Sequence, residues 1–266
     1  MKNVVLSMDL EDWYHLDYFD NNLGSENFSM LDGVEIYCDL LEQHNIKSNF
    51  FVVGEIAKKI RPTLQKISKI GHEIGSHGWD HTRPNTLSKK QFVNQIINSK
   101  KILEDIVGLS VDGYRAPCFS IDREKLNMVI DAGYMFDSSR IDFNYHPLYS
   151  SIDMSNFKML EKNIFRIKHF FEFQVTTYNI FGKTIPISGG GYLRILPWYF
   201  SRKMIDSYLK TEDFFVLYIH PFELSKNPNP PFPKDTKSIT KFRFGYGRKT
   251  VFKKLNFLIK LLKIHN

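Results

Sequence analysis

Val4-Val5-Leu6-Ser7-Met8-Asp9-Leu10-Glu11-Asp12 is a short apolar run that ends in three carboxylates, and Ser76-His77-Gly78-Trp79-Asp80-His81 sets two imidazoles four residues apart. Residues 4–8 have the length and composition of a buried strand, so Asp9 and its neighbours fall where the chain leaves it. On a helical turn, positions i and i+4 share one face, and His77 and His81 so placed can reach one metal ion. Two imidazoles plus a carboxylate leave coordination positions open for water and substrate, the arrangement of a hydrolytic rather than a closed structural site.

Outward from these two stretches the pattern alternates. Residues 31–44 carry helical spacing at Leu31, Val34, Leu40 and Leu41, and Asn49-Phe50-Phe51-Val52-Val53 is a second buried strand closed by Gly54. Residues 56–70 read as a Lys-rich amphipathic helix, and residues 73–76 as the strand delivering the histidine pair. Residues 88–107 form a helix with Ser88 as N-cap, residues 111–115 a strand, and residues 122–132 a helix before Gly133. Such alternation points to parallel βα units in a barrel or open sheet, an α/β fold. Functional side chains then collect at the C-terminal strand ends, where Asp9, His77, Arg115 and Asp137 fall.

The second half is less regular. Residues 157–187 are β-like and turn-rich, and lead into Ser188-Gly189-Gly190-Gly191-Tyr192, read as a loop whose glycines permit close backbone approach and positive φ. It lacks the following helix and Lys-Ser/Thr of a phosphate cradle. Residues 214–219 are a strong apolar strand ending at His220-Pro221, and residues 227–233 an irregular Pro-rich segment. No repeat or linker interrupts the chain, so one domain over residues 1–266 is expected, with residues 225–266 a C-terminal extension.

The 266 residues supply 42% apolar side chains and 24% charge, ordinary for a globular core. Twenty-three Phe and thirteen Tyr would serve both core and a sugar-binding surface. A net charge of +7 favours an anionic partner, a membrane surface or phosphorylated glycan carrier, and no nucleic-acid module is present. Cys38 and Cys118 suggest no disulfide framework and fit a reducing compartment. Residues 1–9 are too soon interrupted by acid for a signal peptide, and no apolar stretch reaches membrane-spanning length. The expected location is the cytoplasm.

With the strand-end acids, the histidine pair, Tyr114-Arg115-Ala116-Pro117 and Tyr218-Ile219-His220-Pro221 in this order, the sequence from about Val4 to Glu223 resembles the polysaccharide deacetylase family (NodB-like, carbohydrate esterase family 4). Asp9-Leu10-Glu11-Asp12-Trp13-Tyr14, Gly189-Gly190-Gly191-Tyr192-Leu193-Arg194 and His220-Pro221-Phe222-Glu223 look most like a branch associated with exopolysaccharide and surface-glycan biosynthesis. The resemblance implies a distorted (β/α)7-type barrel and a divalent metal, most commonly zinc. It also implies hydrolysis of an N-acetyl group from an amino sugar, and the lack of an export signal favours a cytoplasmic, carrier-linked substrate over finished cell wall.

Carried over, the resemblance makes His77 and His81 ligands, Asp9 the general base, Arg115 its orienting partner and His220 the general acid. Family members commonly have adjacent aspartates in the first motif, whereas Leu10 stands second here. Glu11 would share the strand face of Asp9, and Asp12 could swing back; Asp12 is preferred as third ligand, with Glu11 the alternative. A backbone N–H near Cys118 would meet the oxyanion, Ile219 would line the acetyl pocket, and Asp137, Tyr192 and Arg194 are candidate substrate contacts. The family's Asp-Trp motif for tuning the acid is absent.

Residues 248–264 read as a basic amphipathic helix, with Val251, Leu255, Leu258 and Leu262 on one stripe and Lys249, Lys253, Lys254, Lys260 and Lys263 supplying charge. It either packs on the barrel or docks at the inner face of an anionic membrane. Two rival functions stand beside deacetylation. One is hydrolysis of another C–N bond, in a cyclic amide or imide; the other is non-catalytic glycan binding, against which Asp9, both histidines and His220 speak.

Overall fold

The computed structural model describes residues 3–19, 28–143 and 145–264, so residues 1–2 and the Lys263 side chain lie outside the described part. The first half follows the expected alternation: β1 (Asn3–Leu10), α1 (Asp32–Gln43), β2 (Asn49–Val52), α2 (Arg61–Lys69), β3 (Glu73–Ser76), α3 (Lys89–Val107), β4 (Gly113–Tyr114), α4 (Arg123–Asp131) and β5 (Phe136–Asp137). The second half adds β6 (Lys158–Glu161), β7 (Ile164–Ile167), β8 (Phe170–Phe173), β9 (Thr177–Ile180), β10 (Lys183–Pro186), α5 (Gly190–Ile195), α6 (Trp198–Thr211), β11 (Phe214–Ile219), α7 (Pro221–Leu224), α8 (Ser238–Gly245) and α9 (Arg248–Ile264).

Strands β11, β1, β2, β3, β4, β5 and β8 lie side by side through six parallel pairings, and β7 and β6 extend the sheet antiparallel. Beyond β8 the chain reaches the free edge of β11: Thr176 N donates to Val216 O, Tyr218 N donates to Ser188 O, and Gly189 bridges Tyr218. The sheet is thus a nearly closed, barrel-like α/β fold, and the contacts along β11 cover an edge that would otherwise be open.

Strand parity decides what each side chain meets. Leu6, Met8 and Leu10 of β1 face outward and pack with Val34, Tyr37 and Leu41 of α1 in the main core. Ser7 and Asp9 face inward, where Arg115 meets both. α3 begins as the sequence suggests: Ser88 Oγ accepts from Gln91 N, and Gln91 Oε1 accepts from Ser88 N. α2 begins later than expected, after a 3-10 turn at Gly54–Ile56, with Pro62 in its first turn, where a missing N–H costs nothing.

The C-terminal helix packs on the barrel. Val251, Leu255, Leu258 and Leu262 are buried, and Arg248 donates to the carbonyls of Phe222, Ser225 and Asn227. The stripe invoked for membrane docking is therefore already covered by the protein's own core. No helix among the described residues is long and apolar enough to cross a membrane.

Candidate functional site

Because the seven strands run parallel, their C-terminal ends surround one cleft of about 340 Å³. Asp9 is the next-to-last residue of β1, and a tight turn in which Glu11 N donates to Asp9 O keeps Glu11 on the cleft side. His77 follows β3, Arg115 follows β4 and His220 follows β11.

Glu11, His77 and His81 each bring a ligand-type atom within 4.8 Å of the others. His77 Nδ1 lies 2.8 Å from the Arg115 carbonyl, which fixes the proton on Nδ1 and leaves Nε2 with its lone pair. Burial holds the His77 pKa down at about 4, so the ring is neutral, as a ligand must be. Burial opposes the Glu11 charge, but the His81, His220 and His77 imidazoles prevail and bring its pKa to about 2. Both Glu11 oxygens are buried without a well-aligned hydrogen-bond donor, although Oε2 lies 2.8 Å from His81 Nε2. An ionised carboxylate so placed against imidazoles suits a divalent cation, and this donor set fits one.

Two details differ from expectation. The histidines do not share a helical turn: residues 77–83 are a loop in which Gly78 has φ 75° and His81 φ 63°. Gly54 N and Glu55 N donate to the Gly78 and Trp79 carbonyls and pin this loop so that both rings converge. The preferred third ligand, Asp12, stands outside the cluster. Its Oδ1 accepts from Trp13 N and Met30 N, each at 2.8 Å, capping the 3-10 turn Trp13–His15. Glu11 occupies the position instead.

Asp9 is held from behind. Arg115, fully buried, donates through Nη1 to Asp9 Oδ1 at 2.7 Å and to Ser7 Oγ. It also donates from Nε to the Ser138 carbonyl and from Nη2 to Ser138 Oγ, and its guanidinium stacks 4.2 Å over the Phe51 ring. So anchored, it orients one carboxylate oxygen.

His220 lies across the cleft, with Nε2 3.6 Å from Glu11 Oε1. Its Nδ1 meets Glu223 Oε2 at 3.3 Å, and the same oxygen accepts from His220 N. Glu223 Oε1 accepts from Arg194 Nε at 2.9 Å. Burial works against a charge on His220, but the hydrogen bond and charge of Glu223, with Glu11 and Asp9 beyond, outweigh it and raise the pKa to about 9. Glu223 was not picked out as a site residue from sequence. Its spacing of three from His220 at a helix start is the signal that could have found it.

The remaining expected contacts divide. Tyr192 and Cys118 line the cleft, together with Tyr18, Tyr149, Tyr218 and Phe222. Arg194 borders it, but its Nε holds Glu223 and its Nη1 donates to the carbonyls of Arg243, Phe244 and Tyr246, so its guanidinium serves the fold around Glu223. Ile219 is fully buried in the outer core, because alternation along β11 sends Tyr218 inward. Asp137 is buried below the cleft, accepting from Ser139 Oγ and Ser139 N, while Ser139 Oγ accepts from Ala116 N. It shapes the turn after β4 and does not line the cleft. The glycine run opens α5, and among its glycines close approach, not positive φ, is the constraint: a Cβ on Gly190 would sit 1.7 Å from Glu223 Oε2.

Fold and site together define a barrel of the polysaccharide-deacetylase type. Residues 28–136 match the family model for polysaccharide deacetylase, and residues 138–265 match a domain of unknown function, DUF3473. The chain thus carries a polysaccharide deacetylase domain (NodB, carbohydrate esterase family 4) followed by DUF3473, and strands from both matched regions share one sheet. A peptidoglycan-N-acetylglucosamine deacetylase of Bacillus cereus is 31% identical over 104 residues, 39% of this chain and 38% of the relative. The chain spans less than half the length of the curated relatives it matches. A crystal structure of a putative polysaccharide deacetylase from Mycobacterium smegmatis superposes with a TM-score of 0.59 at 18% identity, covering 97% of this chain and 84% of that one. A family 4 pseudoenzyme from Bacillus anthracis superposes at 0.56 and 13% identity, covering 100% and 62%. The fold alone therefore does not decide activity.

Proposed function

We propose that the protein is a metal-dependent hydrolase that removes the N-acetyl group from an amino sugar of a bacterial surface polysaccharide or its biosynthetic intermediate. The observation that carries this is the Glu11–His77–His81 cluster, set in one cleft between an Arg115-held Asp9 and a Glu223-held His220. Glu11, His77 and His81 would hold the cation, zinc by the nature of the donors. A bound divalent ion would supply Lewis acidity and a water of lowered pKa.

The chain's own groups do the rest. Asp9 accepts the water proton on the oxygen that Arg115 leaves free, as the water oxygen adds to the acetyl carbon. The Cys118 N–H, on the cleft-side turn Pro117–Phe119, donates to the developing oxyanion. His220, charged at neutral pH, gives its Nε2 proton to the departing amine, so that amide and water become amine and acetate. Tyr18, Tyr149, Tyr192 and Phe222 offer ring faces to the sugar. Because the DUF3473 region contributes β8 and β11 to the sheet and carries His220 and Glu223 just beyond β11, both matched regions act as one unit.

The test is acetate release from N-acetylated oligosaccharides and carrier-linked sugars by metal-stripped and reconstituted protein. Activity should return with the metal and fall about 100-fold or more in Asp9→Asn. Ring opening of cyclic amides or imides by reconstituted protein that releases no acetate would favour the rival hydrolase.

A further inference from the structure

A second set of ligand-type side chains meets at the mouth of the cleft and shares one residue with the first. Asp17, His81 and Cys118 bring a carboxylate oxygen, an imidazole nitrogen and a thiol sulfur within 4.8 Å of one another. Arg83 Nε lies 3.4 Å from Asp17 Oδ1, which turns Oδ2 toward the group. Asp17 Oδ2 stands 2.6 Å from Cys118 Sγ and 3.9 Å from His81 Nδ1. Cys118 is held there by a left-handed backbone, φ 53° and ψ 23°, in the turn after Pro117.

Proximity alone would leave a thiol hydrogen-bonded to a carboxylate. The independent observation is His81 Nδ1. The residue is only 6% exposed, and Nδ1 is buried with no hydrogen-bond partner. A buried imidazole nitrogen without a partner is unfavourable, and this one faces a carboxylate and a sulfur. What satisfies all three atoms together is a shared electrophile.

We propose that Asp17, His81 and Cys118 form a second cation site for a thiophilic divalent ion, zinc or cadmium, joined to the first site through the two nitrogens of His81. The inference rests on the reading of Glu11, His77 and His81 as the first site. Filling the second site forms bonds from Sγ, Nδ1 and Oδ2 to the ion and releases to solvent the thiol proton and the proton on Nδ1. Sulfur in the donor set selects zinc or cadmium over magnesium or calcium. Three protein donors leave a position open toward the cleft, which both Asp17 and Cys118 line.

Cobalt titration of the full chain tests this, because thiolate-bound cobalt has a near-ultraviolet charge-transfer band that His and carboxylate ligands do not give. The expected result is visible ligand-field bands with the first equivalent and the charge-transfer band with the second. Cys118→Ser and, separately, Asp17→Asn should keep the first signal and lose or weaken the second at least about tenfold in affinity, as is usual for a lost ligand. Wild-type protein that binds the first equivalent and never develops the band overturns the second site and leaves the proposed function standing. A band that persists in Cys118→Ser places the thiolate elsewhere and also overturns it. Failure to bind any cobalt sinks the first reading along with this one.

Discussion

Glu223→Gln tests how the cleft makes an acid of His220. The substitution keeps the size of the side chain but removes the charge that faces His220 Nδ1 at 3.3 Å. The difference between the ordinary 6.5 of His220 and its value of about 9 corresponds to ~3 kcal/mol between its protonation states. Glu223 is the leading favourable contribution, ahead of Glu11 and Asp9, and burial pulls the other way. Without it, His220 returns toward or below its ordinary value, loses much of its proton at neutral pH and is no longer held in one orientation. General acid catalysis contributes about 10²–10⁴ in rate, so kcat on an N-acetyl sugar should fall about 10- to 100-fold. A phenyl acetate ester, whose phenolate departs without a proton, should change less than about threefold. The assay is kcat for both substrates on one protein preparation, with circular dichroism to confirm folding. An equal loss on amide and ester would show that Glu223 merely supports the cleft, and no loss on the amide would remove it from the reaction.

Gly190→Ala should reproduce that selectivity from outside the dyad, since its Cβ would displace a carboxylate that Arg194 prevents from retreating; unchanged amide turnover would refute the crowding argument. Glu11→Gln should lower metal affinity at least about tenfold by calorimetry or dialysis, whereas Asp12→Asn should retain the metal and lose about 1–2 kcal/mol of stability with its capping contacts. The reverse pattern would return Asp12 to the ligand set. Below the cleft, burial and the neighbouring Asp137 hold the Glu172 pKa well above the carboxylate range. The folded state therefore keeps a proton that the unfolded chain gives up near the ordinary value of 4.5, so stability is fullest below that value and declines as pH rises toward the folded pKa. Glu172→Gln should flatten the decline, read as urea midpoints between about pH 5 and about pH 8; an unchanged slope would place the titrating group elsewhere.

The βα alternation through β5 was legible because β1 and β2 are apolar runs, the short β3, β4 and β5 fall between helical patterns, and helices have their own stripe or cap, as at Ser88. The glycine run was not, since glycine disfavours helix on local grounds. The need for glycine at position 190 comes from a carboxylate 33 positions away, which only the folded chain brings against it. The apolar stripe of residues 248–264 was visible in sequence, but its partner was not, because amphipathicity alone does not say whether a protein or a lipid covers it.

At the site, residue types were more legible than conformations. His77 and His81 do converge, yet by a loop with two left-handed residues and not by the helical turn that their spacing suggested. The error over the acetyl pocket was one of parity. His220 and Tyr218 are two apart and turn inward together, so Ile219 between them had to face the outer core, as it does. The same two-residue rule favoured Glu11 over Asp12 beside Asp9, and the caps on Asp12 show where the competing carboxylate was needed. Alternation along a strand is a hard steric constraint, whereas the reach of a side chain past the strand end is soft. Where the two disagreed here, the hard constraint had the better claim.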